Sequence, residues 1–228
     1  MEDLYLKSFI SLANLFNSHN FHLYLVGGTV RDYLFHLPLT DMDAVTDATP
    51  KEMKEFLKDA DYTFSRFGSV KYKTNNIKFD ITTLREESEY KDSRHPAVIN
   101  FVKDLSIDVK RRDFTINGLY LDKDMIVIDF VNGEADIKNK ILRTIGGADK
   151  RIKEDPLRIV RAIRFALDFD LSFDEELYTA IIDNIDLLDK LNKDKIKQDI
   201  NKLRNRDEEK INEIFTKCHF IKYKTMLE

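Results

Sequence analysis

Two carboxylates one residue apart, Asp41 and Asp43, follow a glycine pair, Gly27-Gly28, set between an apolar run and a basic residue. These are the residue types from which a phosphate- and metal-handling site is made. In an extended segment Asp41 and Asp43 point to one face, with Cα atoms roughly 6.6 Å apart at about 3.3 Å per residue. That spacing suits two carboxylates that share divalent cations with substrate phosphate oxygens, a mode of binding that Mg²⁺ prefers. Gly27-Gly28 lets the backbone turn sharply and come close to a ligand. Thr29 reads as an N-cap and Val30 to Leu34 as the start of a helix, whose open N–H groups suit a phosphate. Arg31 adds a charge-assisted contact to the same anion. Each fragment alone is common: a Gly-Gly turn is usually only a turn, and Asp-x-Asp is often a solvated turn.

Three further groups have chemistry to offer. Asp80 stands between apolar neighbours in Ile77-Lys78-Phe79-Asp80-Ile81, either on an exposed strand face or as a third acid facing Asp41 and Asp43. Lys110-Arg111-Arg112 precedes Asp113 near an expected helix start, either as a solvated face or as a triphosphate contact. Glu154-Asp155-Pro156-Leu157-Arg158 opens a helical pattern in which Ile159, Val160, Ala162, Ile163 and Ala166 cover one side. Arg158, Arg161 and Arg164 are expected on the other side. Asp155 and Arg158, three residues apart, combine acceptors and donors that match the hydrogen-bonding edge of a base.

The elements that must hold these groups are legible from periodicity. Leu23 to Val26 is a short buried strand behind an amphipathic helix at 3–18, and Thr40 to Thr46 is a second strand. Thr49-Pro50 followed by Glu52 starts a helix. Val70 to Lys73 and Ile77 to Leu84 form a hairpin across Asn75-Asn76. Residues 85–100 are dense in charge, lack periodicity and read as a mobile loop. Met125 to Val131 and Ile141 to Ile145 read as strands, and 173–227 as helix throughout. The lysines at 190–224 form either a solvated face or a surface for RNA phosphates.

Composition narrows the class. A chain of 228 residues, 43% hydrophobic and 34% charged, makes one large domain or two small ones. Seven glycines and four prolines argue against a turn-rich sandwich. The formal net charge of -4 gives no global support for a nucleic-acid partner, so local clusters must supply it. One cysteine, Cys218, leaves no partner for an internal disulfide and fits a reducing compartment. No segment approaches the length of a membrane span, and no signal peptide is expected, so a cytoplasmic location is the default. The oligomeric state is left open.

Taken together, Leu25-Val26-Gly27-Gly28-x-Val30-Arg31-Asp32, Asp41-x-Asp43, Arg111-Arg112-Asp113-Phe114-Thr115-Ile116-Asn117 and Glu154-Asp155-Pro156-Leu157-Arg158-x-x-Arg161 resemble the class II tRNA nucleotidyltransferases, the bacterial CCA-adding enzymes and their poly(A) polymerase relatives. The match runs over most of residues 20–170. The resemblance implies an α+β fold: a nucleotidyltransferase head at 1–137, with a mixed sheet flanked by helices, then an all-helical neck and short helical region at 138–228. Most of the family's body and tail is expected to be absent. It implies template-independent addition of CCA to the tRNA 3′ end from CTP and ATP. Asp41 and Asp43 are then the catalytic carboxylates and the ligands of two Mg²⁺ ions. One ion activates the RNA 3′ hydroxyl and the other stabilises the triphosphate and pyrophosphate. Gly28, Arg31 and Arg112 bind the incoming nucleotide, Asp155 and Arg158 form the amino-acid template, and Arg161 and Arg164 make further nucleotide contacts. Residues 85–97 resemble the flexible loop needed to switch from C to A addition. Asp80 and Asp113 are candidate supporting carboxylates. The rivals are an A-adding enzyme or poly(A) polymerase and, from another class, a nucleotide- or RNA-binding protein without catalysis.

Overall fold

The computed structural model describes residues 2–90 and 96–227 and divides into two compact units. The first comprises Met1–Glu89, Pro96–Arg112 and Ile116–Glu134; the second contains Asp113–Thr115 and Ala135–Glu228.

In the first unit, helix α1 (Glu2–Ser18) precedes strand β1 (Leu23–Val26), helix α2 (Gly28–Leu34), strand β2 (Met42–Thr46) and helix α3 (Pro50–Phe56). Strands β3 (Ser69–Thr74), β4 (Ile77–Thr83), β5 (Arg85–Tyr90) and β6 (Pro96–Phe101) follow, then the single turn α4 (Leu105–Asp108) and strands β7 (Leu119–Leu121) and β8 (Val127–Asp129). The main sheet has the order β3-β4-β2-β1-β7-β8, parallel between β2 and β4 and antiparallel elsewhere. Alternation sorts the faces. Met42, Ala44, Phe79 and Ile81 are buried, whereas Lys78 and Asp80 are exposed. Phe9 and Phe16 of α1 are also fully buried, and Phe16 meets Phe56 edge-on at 5.1 Å. The β3–β4 turn places Asn75 and Asn76 at φ 50° and 62°, as a two-residue hairpin turn requires. Thr49 and Glu52 close a capping box on α3.

Two expectations for this unit are corrected. The segment read as a loop at 85–100 contains β5 and β6, which pair as a separate ribbon. At its base the Val102 N–H donates to the Leu84 carbonyl at 2.9 Å. The β5 sequence Arg-Glu-Glu-Ser-Glu-Tyr has no apolar alternation to read, and β6 offers only the short alternation Ala97-x-Ile99-x-Phe101. Residues 91–95 of the expected loop lie outside the described residues. The second correction concerns Lys110-Arg111-Arg112, which closes a helical turn instead of opening one: α4 runs straight into a 3₁₀ turn at Val109–Arg111.

The second unit is helical apart from a two-residue parallel pairing of β9 (Ile141–Leu142) with β10 (Ser172–Phe173). Its helices are α5 (Gly133–Asn139, at the boundary), α6 (Ala148–Glu154), α7 (Leu157–Phe169), α8 (Glu175–Asn184), α9 (Lys193–Ile200) and α10 (Glu208–Lys217). Helix α7 buries Ile159, Val160, Ala162, Ile163 and Ala166 on the expected face. Phe165 of α7 meets Phe114 edge-on at 5.7 Å. No helix of the described residues is long and apolar enough to cross a membrane.

Candidate active site

Asp41 stands just before β2 and Asp43 within it, with buried Met42 between them directed to the opposite face. The parallel register places Asp43 directly opposite Asp80 on β4. Asp80 is thus the neighbour of the carboxylate pair on the open face, where its oxygen also lies 3.7 Å from Lys71 Nζ. Burial first, then the charges of Asp80 and Asp41, hold the Asp43 carboxyl above its ordinary range. Arg112 and Arg31 pull it back. Like charges gathered around hard oxygen donors are what a divalent cation relieves, so this set fits Mg²⁺. Among the described residues no group of three or more His, Cys, Asp or Glu side chains is preassembled for a metal.

The glycine turn borders the same space. Gly27, at φ 64°, is the N-cap of α2, and Thr29 is not. Thr29 instead uses its buried hydroxyl twice. It donates to the Asp41 carbonyl at 3.0 Å and accepts the Asp43 N–H at 2.8 Å. The start of α2 is thereby tied to the carboxylate segment. A Cβ built on Gly28 would lie 3.5 Å from Arg31 Nη2 and 3.7 Å from Asp43 Oδ2, so the bare glycine keeps open the gap between cation and carboxylate. Helix α2 has only seven residues. Its dipole is correspondingly small, and the arginines supply most of the positive field.

Both arginines are held in place. Arg31 donates from Nε and Nη2 to Asp32 Oδ1 at 3.0 and 2.7 Å, and from Nη1 to Asn117 Oδ1 at 2.8 Å. Arg112 donates from Nε and Nη2 to Asp108 Oδ2 at 3.0 and 2.8 Å, and its guanidinium lies over the Tyr120 ring at 5.3 Å. Its Nη1 lies 3.7 Å from a Cβ built on Gly27. Asp108 also accepts from Arg111 Nε, the Tyr120 hydroxyl and the Arg85 N–H. Burial alone would raise this carboxyl, but Arg112 and Arg111 beside it hold it down at about 2. Sequence reasoning does not single out Asp32, Asp108, Asn117 or Tyr120 as site residues. The available signal is the four-residue spacing of Asp108 and Arg112, which puts both on one side of a helical turn.

In the second unit the expected outer face of α7 is only partly outer. Arg158 is buried, 6% exposed. Its Nη1 donates to the Arg151 carbonyl at the end of α6 and lies 3.5 Å from Glu154 Oε2. The helix wheel assigns Arg158 to the polar side, but α6 packs against the first turn of α7 and encloses it. Asp155 accepts the Leu157 N–H at 3.2 Å. Arg161 pairs with Asp113 at 2.5 Å, which engages that carboxylate with α7. Arg164 is half-buried, 4.6 Å over the Phe165 ring. The three arginines of α7 are thus ordered by neighbouring acids, carbonyls and rings.

The geometry of the first unit combines a carboxylate pair, a glycine turn and two immobilised arginines. Known proteins resemble the chain that carries this combination. The CCA-adding enzyme of Lactobacillus helveticus is 38% identical over 203 residues, 89% of this chain and 51% of that protein. The Staphylococcus saprophyticus CCA-adding enzyme is 36% identical over 190 residues, 83% of this chain and 48% of that protein. The crystal structure of the Bacillus stearothermophilus CCA-adding enzyme in complex with CTP superimposes with a TM-score of 0.83 at 27% identity, covering 92% of this chain and 51% of that one. The chain spans about half the length of these relatives. The model of the Poly A polymerase head domain matches residues 23–143, and the chain belongs to that family.

Proposed function

We propose that this chain adds C, C and A to the 3′ end of tRNA without a nucleic-acid template, using CTP and ATP. The RNA 3′ oxygen attacks the α-phosphorus of the nucleotide. A phosphodiester bond forms, the α–β phosphoanhydride bond breaks, and pyrophosphate leaves. The observation that carries this reading is the convergence beside the central strands β1 and β2 of Asp41 and Asp43, the Gly27–Gly28 turn, and Arg31 and Arg112 held by their own acids. The names of the half-matched relatives, and CTP in one of their structures, support it.

In this reading Arg31 and Arg112 bind the triphosphate and Gly28 gives it room beside Asp43. Their preset guanidiniums stabilise charge on the leaving pyrophosphate without reorganisation. Asp41 and Asp43 hold Mg²⁺, which when bound supplies a more acidic 3′ hydroxyl and neutralises phosphate charge. Residues 1–137 act as the catalytic head and 138–228 as the neck. Asp155 and Arg158 choose the base: a carboxylate accepts from an amino group, and a guanidinium donates to a ring nitrogen or carbonyl. The Arg151 carbonyl and Glu154 hold the Arg158 guanidinium for that task. Arg161 and Arg164 make further nucleotide contacts. The work takes place in the cytoplasm, where the buried Cys218 thiol stays reduced.

The matching family model is that of a poly(A) polymerase head, which favours A-adding or poly(A)-synthesising activity as the second reading. One experiment separates them. The protein is incubated with Mg²⁺ and a tRNA transcript ending at the discriminator base, with CTP, ATP or both. Ordered addition of three nucleotides is expected. A single A added only to a CC-ending tRNA supports the A-adding reading, and long A tails support the polymerase. No incorporation from any primer overturns all three.

A further inference from the structure

The open face of the main sheet carries two like-charged rungs side by side. Asp43 on β2 is directly opposite Asp80 on β4, and Lys78 on β4 is directly opposite Lys73 on β3. Lys71 on β3 is opposite Asp80 and completes the row. Lys71, Lys73 and Lys78 are all exposed, and among the described residues neither Lys73 nor Lys78 has a carboxylate partner. Like charges directly opposite on neighbouring strands destabilise a sheet. The acidic rung is relieved by a cation. The basic rung, two residues further along β4 and so roughly 6.6 Å away at about 3.3 Å per residue, is relieved by an anion. Lysines on an edge strand often serve to discourage edge pairing. That purpose does not account for Lys78, because β4 lies between β3 and β2. Nor is the edge of β3 fully open at this point: Asp61 exchanges backbone hydrogen bonds with Lys71 at 2.8 and 3.0 Å.

We propose that Lys71, Lys73 and Lys78 form a phosphate track that holds the RNA strand just upstream of the 3′ hydroxyl presented at Asp41 and Asp43. The inference rests on the transfer reading above and adds where the acceptor strand runs. Three features select RNA phosphates as the occupant. The patch is basic although the chain is acidic overall. It is continuous with the carboxylate face through the shared β4 register. It is also separate from Arg31 and Arg112, which are already assigned to the triphosphate. Adjacent strands are about 4.8 Å apart, so Lys71 stands about 10 Å from Asp43 along the rung, within side-chain reach of a neighbouring phosphate.

The test uses the triple substitution Lys71→Gln, Lys73→Gln and Lys78→Gln, with Lys51→Gln and Lys58→Gln on the same unit as the control pair. Binding of a fluorescein-labelled tRNA transcript ending in CC is followed by anisotropy over a KCl series without nucleotide. The triple variant is expected to bind at least tenfold more weakly at low salt. Its slope of log affinity against log salt should fall by about 2, at about 0.7 for each single-strand phosphate that is no longer neutralised. The KM for RNA should rise while the KM for CTP does not, and the control pair should match the parent. Because Lys73→Gln removes a like-charge opposition, its Tm should equal or exceed that of the parent. An unchanged affinity and salt slope overturns the track, as does a KM for CTP that rises in parallel. If the parent incorporates no nucleotide, the transfer reading fails, whereas the binding series still decides whether this face holds RNA.

Discussion

Replacing Asp108 by Asn removes one buried negative charge and keeps the shape of the side chain. The wild-type carboxylate is fully buried and faces Arg111, Arg112, the Tyr120 hydroxyl and the Arg85 N–H. An aspartate held at about 2 instead of 3.8 binds its proton less tightly in the folded state than in the unfolded state. It therefore contributes stability that is complete above the unfolded value and lost as the pH falls toward 2. At about 1.4 kcal/mol per tenfold change, that contribution is about 2 kcal/mol at pH 7, and about half of it remains at pH 3. Arg111 keeps Glu87 at 3.6 Å, but Arg112 loses both of its hydrogen bonds to Asp108, which raises the cost toward the ~3–5 kcal/mol typical of a broken buried pair. Urea unfolding of the two proteins, compared between pH 7 and pH 3, measures the gap directly. The variant should be less stable by at least about 2 kcal/mol at pH 7, and the gap should narrow with acid. Because Arg112 is released from its anchor, the KM for CTP should rise as well. Equal midpoints at pH 7, or a gap that ignores pH, would refute the anchoring role.

Other substitutions separate folding from chemistry. Gly28→Ala meets only ordinary contacts at 3.5 and 3.7 Å, so its Tm should stay level or rise, since alanine is the better helix residue. The methyl fills the gap beside Asp43, and a KM for CTP at least tenfold higher is expected in steady-state assays. Gly27→Ala, at φ 64° and ψ -127°, should instead lose about 1–3 kcal/mol of stability in urea. Asp43→Asn should abolish incorporation, yet in EDTA its Tm should rise by about 2–4 °C as the Asp43–Asp80 opposition disappears, with Mg²⁺ giving no further shift. Arg158→Ala should lower the preference for CTP over UTP by about 10- to 100-fold, the worth of one or two buried hydrogen bonds at about 1–3 kcal/mol. Competition assays with mixed nucleotides would read it.

Much of the first unit is visible in the chain because its signals are local. The run Leu23 to Val26, the glycine pair and the alternation around Asp43 each declare themselves within a few residues, and Asn75-Asn76 specifies its own hairpin. What escapes depends on distant partners. The β5 half of the ribbon is almost all polar, so no period marks it, and the short run Ala97-x-Ile99-x-Phe101 in β6 is too brief to announce a strand without its partner. The burial of Arg158 is decided by α6 packing on the first turn of α7, which a single-helix wheel does not contain. Thr29 carries a capping residue's side chain, and local context assigns its hydroxyl to the helix end; it turns to β2 because Asp41 and Asp43 stand across the turn. The Asp113–Arg161 pair spans 48 positions of sequence, with no spacing rule to suggest it.

That hydroxyl has a consequence for precision in time. A phosphate held by the α2 turn and a cation held by the carboxylate segment would, on separate supports, vibrate out of step. Their separation would then carry the sum of both fluctuations. A misplacement near 1 Å can cost a reaction a hundredfold. Thr29 belongs to α2 and grips the backbone on both sides of Met42, so the two supports travel as one body. Thr29→Ser keeps both hydrogen bonds and the common motion. Thr29→Val keeps the bulk but leaves only the β1–β2 pairing to couple the phosphate support to the carboxylates, and the spread of their separation widens.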